Sequence, residues 1–232
     1  MAEFLTIVGL SLKVALFALI WALPLGFVLG YVLATKRFFG RRLLSVVVMM
    51  PLVMPPVVTG LVLLYAFGPN GAVGQLLAPL GISFAFNAAG AALAAGLVAL
   101  PLIVRPIRLS FEHVPKDLDE ALAVAGLTPW QRFITLYAPS ALPGVVAGGV
   151  LGFAKALGEF GATITFVANI PGETQTLSLA IHSALQAFDQ GQLVLWLCLV
   201  SIGISGLAIW GSEFLLSWLE RRLTGRRAVR HV

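Results

Sequence analysis

Uncharged apolar residues run through this chain in blocks too long for the helices or strands of a water-soluble core. Val14 to Thr35 carries no charge for 22 residues and ends at Lys36-Arg37. A spanning helix needs roughly 20 apolar residues at about 1.5 Å of rise each, so this block predicts one crossing. Leu43 to Val104 holds 62 consecutive uncharged residues, far more than one crossing takes. Gly68-Pro69-Asn70-Gly71, with Pro79 and Gly81 behind it, supplies a break, and two crossings are expected there, at about 43–67 and 87–109. A fourth block opens at Pro143-Gly144 and runs to about 168, and a fifth covers about 192–218. The pattern predicts one all-α integral membrane domain over 1–232, with five transmembrane helices, the first at about 12–35.

Composition narrows the class further. Hydrophobic residues make up 59% of the chain and charged residues 11%, with a mean hydropathy of +0.98. Soluble domains have about 45–50% apolar and about 25% charged residues, so an ordinary soluble enzyme and a disordered chain are both excluded. Cys198 is the single cysteine and allows no intrachain disulfide. The net charge of +5 has a topological rather than a nucleic-acid-binding cause, so no nucleic acid partner is expected. Thirteen of the 15 basic residues fall in the loop 35–42, the segment 105–139 and the tail 219–232. The loops 68–86 and 169–191 hold no Lys or Arg, only Glu173 and Asp189. Cytoplasmic loops carry the Lys/Arg excess, which predicts an outside N-terminus and a cytoplasmic tail. Met1-Ala2-Glu3-Phe4 lacks the basic start of a cleaved signal peptide, so the first block is expected to be retained.

Inside the blocks, some residues suggest packing and others a path. Gly144, Gly148, Gly152 and Ala156 follow one another every four residues, placing small residues on one helix face that another helix can approach closely. They serve either packing inside the bundle or a contact with a second copy of the chain. Gly26 and Gly30 repeat the spacing. Pro51, Pro55 and Pro56 fall within the second block and remove backbone donors there. The freed carbonyls must face protein or a water-filled cavity, as a static kink or as part of a pathway. Two ionisable residues are read as lying within the spans: Lys155 and Glu159, four apart on the fourth helix. They form either a self-neutralising pair that fixes the helix or the border of a polar path. The candidate pathway or gate residues are Pro55, Pro56, Thr59, Lys155, Glu159, Thr163 and Thr165.

The polar segment 111–139 predicts two short cytoplasmic helices. Asp117 is placed as the N-cap of the first, with Glu120 three residues later and a stripe of Leu118, Ala121, Leu122 and Ala125. Gly126 is its stop. Thr128-Pro129-Trp130-Gln131 opens the second helix with a capping box, and Pro139 is expected to end it. Glu112, Asp117, Asp119 and Glu120 make the pair acidic, which disfavours resting on anionic lipid and favours docking to a cytoplasmic protein.

Glu120-Ala121-Leu122, then Gly126, then Leu136-Tyr137-Ala138-Pro139 resembles the Glu-Ala-Ala motif of binding-protein-dependent ABC importer permeases. It keeps the Glu, first Ala, Gly and Pro and departs at Leu122, Leu136 and Ala138. Gly158-Glu159-Phe160-Gly161-Ala162-Thr163-Ile164-Thr165-Phe166, then Asn169-Ile170-Pro171-Gly172-Glu173-Thr174, together with Pro51 to Val58, resembles the molybdate permease branch of that family. The Glu-Phe-Gly core is shared with sulfate and thiosulfate permeases. The resemblance implies a type I ABC importer permease fold working as a homodimer with two copies of a cytoplasmic ATPase. A periplasmic or lipid-anchored molybdate-binding protein would deliver substrate, and tungstate or sulfate are the alternative cargoes. Glu120, Ala121, Leu122, Gly126, Leu136 and Pro139 would couple the permease to the ATPase. Asn169, Pro171, Gly172, Glu173 and Thr174 would meet the binding protein. The chain has no Gly-x-x-x-x-Gly-Lys-Ser/Thr loop, so it is expected to be a non-catalytic subunit with no cofactor of its own, Mg-ATP binding to the partner. His113, His182 and His231 are scattered, which disfavours a membrane enzyme, and an ion-coupled transporter with paired halves fits five spans poorly.

Overall fold

The structure, a computed structural model, describes residues 2–187 and 190–228. Asp189, Arg230 and His231 lie outside the described residues. All regular structure among the described residues is helical: α1 (Ala2–Thr35), α2 (Arg41–Val53), α3 (Pro56–Phe67), α4 (Ala72–Leu77), α5 (Ala88–Glu112), α6 (Lys116–Val124), α7 (Pro129–Arg132), α8 (Ala138–Leu157), α9 (Gly161–Val167), α10 (Leu177–Gln186) and α11 (Gly191–Ala228).

α5 is the axis of the bundle. Asn87 starts it by accepting the Gly90 N–H at 2.9 Å, and α1 and α8 cover it on two sides. Small residues set these approaches. A Cβ at Gly26 would stand 2.6 Å from Ile103 Cγ2, one at Gly30 2.9 Å from Ile107 Cγ2, and one at Gly148 2.8 Å from the Ile103 carbonyl. Both four-residue stripes therefore pack against α5 of the same chain, and the alternative of a face reserved for a second copy is not what they serve.

The same contacts give the helix directions. Gly26 meets Ile103 and Gly30 meets Ile107, so α1 and α5 run parallel. Gly144 lies beside Ile107 and Gly152 beside Ile103, so α8 runs antiparallel to both. Two parallel helices joined in sequence require the chain between them to return across their full length, about 37 Å for the 25 residues of α5. That return falls to residues 36–87.

Several expected boundaries are corrected. The second span is two helices, α2 and α3, bent by 116° at Met54-Pro55. Pro55 and Pro56 leave two adjacent residues without an N–H, and neither the α2 ladder nor its axis continues through them. Four other helices are long and apolar enough to cross a membrane: Glu3–Thr35, Ala88–Glu112, Pro129–Leu157 and Gly191–Gly211. With the bent pair counted as one, that makes five. α1 begins near the start of the chain rather than at 12, because residues 2–11 continue the helix against α10 and bury Ile7 and Ser11. Pro139 does not end a cytoplasmic helix. A π turn at Phe133–Tyr137 joins α7 to α8, the Ala138 N–H reaching the Phe133 carbonyl, so Pro139 sits in the first turn of α8. The fourth span starts earlier than expected and stops at Leu157, with α9 a separate short helix.

Candidate functional site

Three places carry the residues singled out in the sequence, one at each end of the bundle and one between.

At the first end, Arg41 donates to the Leu33 carbonyl from Nε (2.9 Å) and Nη2 (2.6 Å), closing the C-terminus of α1. Glu112 accepts from Arg108 Nε at 2.8 Å and lies 4.0 Å from Arg41, and Arg108 also reaches Ser45 Oγ. This ion network fixes the ends of α1, α2 and α5 together. Glu112 thus belongs to α5 and is paired, not part of a free acidic surface. Beyond it, α6 begins at Lys116 with Pro115 in front, so Asp117 is a first-turn residue and makes no side-chain cap. There its carboxylate still favours the helix dipole.

The turn after α6 is as the spacing predicts. Gly126 has φ +86°, the left-handed conformation that costs glycine no Cβ clash. Leu127 N–H bonds the Leu122 carbonyl (3.1 Å) and Gly126 N–H that of Ala123 (3.0 Å), the paired bonds of a Schellman stop. Thr128 and Gln131 then form the capping box of α7. Arg132 and Asp119, 2.9 Å apart, tie α7 back to α6. Held this firmly, α6 still buries none of its residues. Glu120, Ala121 and Gly126 are exposed and Leu122 half-buried, while Pro139 is half-buried and Leu136 is buried against the bundle. Val124, which the stripe omitted, is 90% exposed.

In the middle, the bend between α2 and α3 meets the break between α8 and α9. A Cβ at Gly161 would lie 2.8 Å from Pro56, and one at Gly60 2.5 Å from the Ala162 carbonyl and 2.8 Å from Thr165. Lys155 is in the last turn of α8, but Glu159 lies past the helix end, in the break. They pair all the same, Nζ to Oε2 at 2.8 Å, while Oε1 accepts the Ala162 N–H at the start of α9 (3.1 Å). The Glu159 side chain is 1% exposed and that of Lys155 33%. Thr59 is buried with its hydroxyl unpartnered, Thr163 is buried, and Thr165 donates to the Gly161 carbonyl. Pro55 and Pro56 are exposed. The structure therefore gathers Pro56, Thr59, Glu159 and Thr165 where two interrupted helices touch. The glycines that permit the contact, Gly60 and Gly161, escape a reading by motif because nothing along the chain marks which glycine another helix will meet.

At the second end, Ser11 Oγ accepts the Leu177 N–H at 2.7 Å, anchoring the loop 168–176 beside the start of α1. Ser11 is 22 residues, about 33 Å, from Leu33 along α1, so this loop and α6 occupy opposite ends. Thr174 is fully buried and shapes the loop from within, accepting the Ile170 N–H (2.8 Å) and donating to Ala168 O. Of the expected contact residues, Pro171, Gly172 and Glu173 form the exposed tip, and half-buried Asn169 bonds Ser183. Lys13 adds a cation to this end: exposed, it lines a cavity of about 350 Å³ with Thr6 and Gly172. It stands one residue before the charge-free block, where block boundaries hide it.

No group of His, Cys, Asp or Glu among the described residues could hold a metal ion. Residues 22–225 match the family of binding-protein-dependent transport system inner membrane components. The chain is 46% identical over 217 residues to the molybdenum transport system permease protein ModB of Haemophilus influenzae, covering 93% of this chain and 95% of that one. It is 34% identical over 200 residues to the sulfate transport system permease protein CysT of Escherichia coli, covering 86% and 72%. A bacterial ABC transporter that imports the acidic polysaccharide alginate contains a chain of the same fold, with a TM-score of 0.72 at 16% identity over 97% of this chain and 81% of that one.

Proposed function

The chain belongs to the family of binding-protein-dependent transport system inner membrane components, a multi-pass transport component of the inner membrane, and from that premise we propose that it is the permease of an ATP-driven molybdate importer. It works as a homodimer bound to two copies of a cytoplasmic ATPase and receives the oxyanion from a binding protein. The carrying observation is α6: closed at its C-terminus by the Gly126 turn, tied to α7 by Asp119 and Arg132, acidic in its first turn, and without a buried residue in its own chain. A helix fixed that firmly with Leu118 and Val124 exposed is suited to transmit force to a partner. The ATPase grips it, and closure of the two ATPases on ATP moves the α6 pair and opens the path outward.

Basic residues concentrate at the α6 end (Lys36, Arg37, Arg41, Arg42, Arg105, Arg108, Lys116, Arg132), which supports a cytoplasmic location for it and an outside N-terminus. The loop tip Pro171–Glu173, at the opposite end, meets the binding protein. The path runs past the junction of the two broken helices, where Lys155 has donor capacity left for an anion while Glu159 holds it in place. Similarity favours molybdate over sulfate, since the sulfate permease is the more distant relative.

The test is reconstitution of the chain with its ATPase and binding protein in vesicles. Molybdate should stimulate ATP hydrolysis and accumulate inside, with sulfate a poor competitor. Glu120→Lys should lower uptake by about tenfold or more, since reversing a docking charge costs an interface over a kcal/mol. Normal recruitment of the ATPase and normal import by that variant would overturn the proposal.

A further inference from the structure

We propose that the chain binds one anionic phospholipid of the cytoplasmic leaflet in an aromatic groove between α1 and the α7 elbow. The groove, about 320 Å³, is lined by Phe27, Val28, Tyr31, Pro129, Trp130 and Phe133, a lining with almost no polar surface. Its walls are preformed: Tyr31 and Phe27 meet Phe133 edge-on at 5.2 and 6.2 Å, and Trp130 stacks on Phe133 at 5.7 Å. Trp130 is nevertheless 68% exposed. At its mouth, Lys36 Nζ stands 5.9 Å from the centre of the Tyr31 ring, and exposed Arg37 follows.

Depth and charge together select the occupant. Tyr31 and Phe27 lie 4 and 8 residues before Thr35, the last residue of α1, so about 6 and 12 Å inside the end of that helix. A groove that runs this far along a spanning helix from its end presents an apolar wall at the level of acyl chains, with its mouth at the headgroups. Aromatic rings and Lys/Arg side chains cluster at this level of a bilayer, and basic sites at the cytoplasmic side attract anionic headgroups. The acyl chain lies along Phe27, Val28 and Phe133, and the phosphate sits at Lys36. Because Pro129 and Trp130 open the helix that follows α6, the lipid braces the elbow through which α6 moves. The inference rests on the cytoplasmic location of α6 proposed above.

The experiment places the complete permease–ATPase complex in nanodiscs containing photoactivatable phosphatidylglycerol or phosphatidylcholine with the same acyl chains. Mass spectrometry then maps the adducts. Peptides holding Phe27–Tyr31 and Pro129–Phe133 should be labelled about fivefold more by phosphatidylglycerol, the preference one lysine gives for an anionic headgroup. The exposed α11 face at Ile202 and Leu207 should be labelled equally by both. Lys36→Gln should bring the groove ratio close to that of α11, and Val28→Trp should remove groove labelling only. Equal labelling of the groove by both lipids would overturn the inference. So would a groove unlabelled in the complex, with a Val28→Cys variant crosslinking to the ATPase or to a second permease. Failure of the ATPase to bind would count against the importer reading instead, and labelling of the permease by itself would still decide the groove.

Discussion

At the scale of single residues, the most consequential contact is Lys155 with Glu159. Glu159 is nearly inaccessible and serves two partners, the Lys155 ammonium and the first turn of α9. Removing one partner of a buried pair strands the other charge, at about 3 kcal/mol or more. The exposures make this loss unequal: the Lys155 side chain is one-third exposed, whereas that of Glu159, at 1%, is left with an enclosed charge once Lys155 is gone. Lys155→Met is therefore expected to lower thermal stability in detergent more than Glu159→Gln, which keeps an oxygen for Ala162. The double variant should recover part of the loss. A double variant no more stable than Lys155→Met would show that the two do not act as a pair. If Lys155 also meets the anion in transit, the double variant will assemble yet import slowly; full import would remove it from the path.

At the scale of elements, two kinds of glycine behave differently under substitution. Gly126→Ala forces a Cβ into a left-handed backbone at about 1 kcal/mol, and Thr128→Ala loses a cap worth about 1 kcal/mol. Both loosen the turn that joins α6 to α7 without touching the bundle. They should leave the amount of folded protein unchanged while weakening coupling, seen as ATP hydrolysis that molybdate stimulates less. Gly148→Leu acts on the bundle itself, since even a Cβ there comes within 2.8 Å of the Ile103 carbonyl. It should abolish a monodisperse peak in size-exclusion chromatography of detergent extracts. Gly203→Leu, where nothing lies within 4 Å, should run like the unaltered protein. The sequence shows both stripes of small residues, but a stripe has no address on it. That α1 and α8 spend theirs on α5 follows from three helices meeting in one core.

At the scale of the whole molecule, the two working ends lie about 33 Å apart along α1. On the proposed orientation, with the α6 end in the cytoplasm, a cysteine at Gly172 should react with a membrane-impermeant maleimide in spheroplasts. A cysteine at Val124 should react only after permeabilisation, and the reverse result would invert the proposed topology.

The membrane class, the helical blocks, the capped α6–α7 turn and the Lys155–Glu159 pairing were legible along the chain, because hydropathy, caps and i to i+4 spacing are properties of neighbouring residues. What neighbours cannot encode is how far a helix continues when a distant element supports it. α1 runs on to Ala2 because α10 covers its start, and α7 passes through a π turn into α8 instead of stopping at Pro139. Nor can local sequence fix the meeting of two breaks. Pro55 and Glu159 each mark an interruption, but only the packing of α3 on α9 through Gly60 and Gly161 makes them one place. Local chemistry chose the elements, and long-range packing decided their ends and their junction, because desolvation and close contact depend on what lies opposite in space.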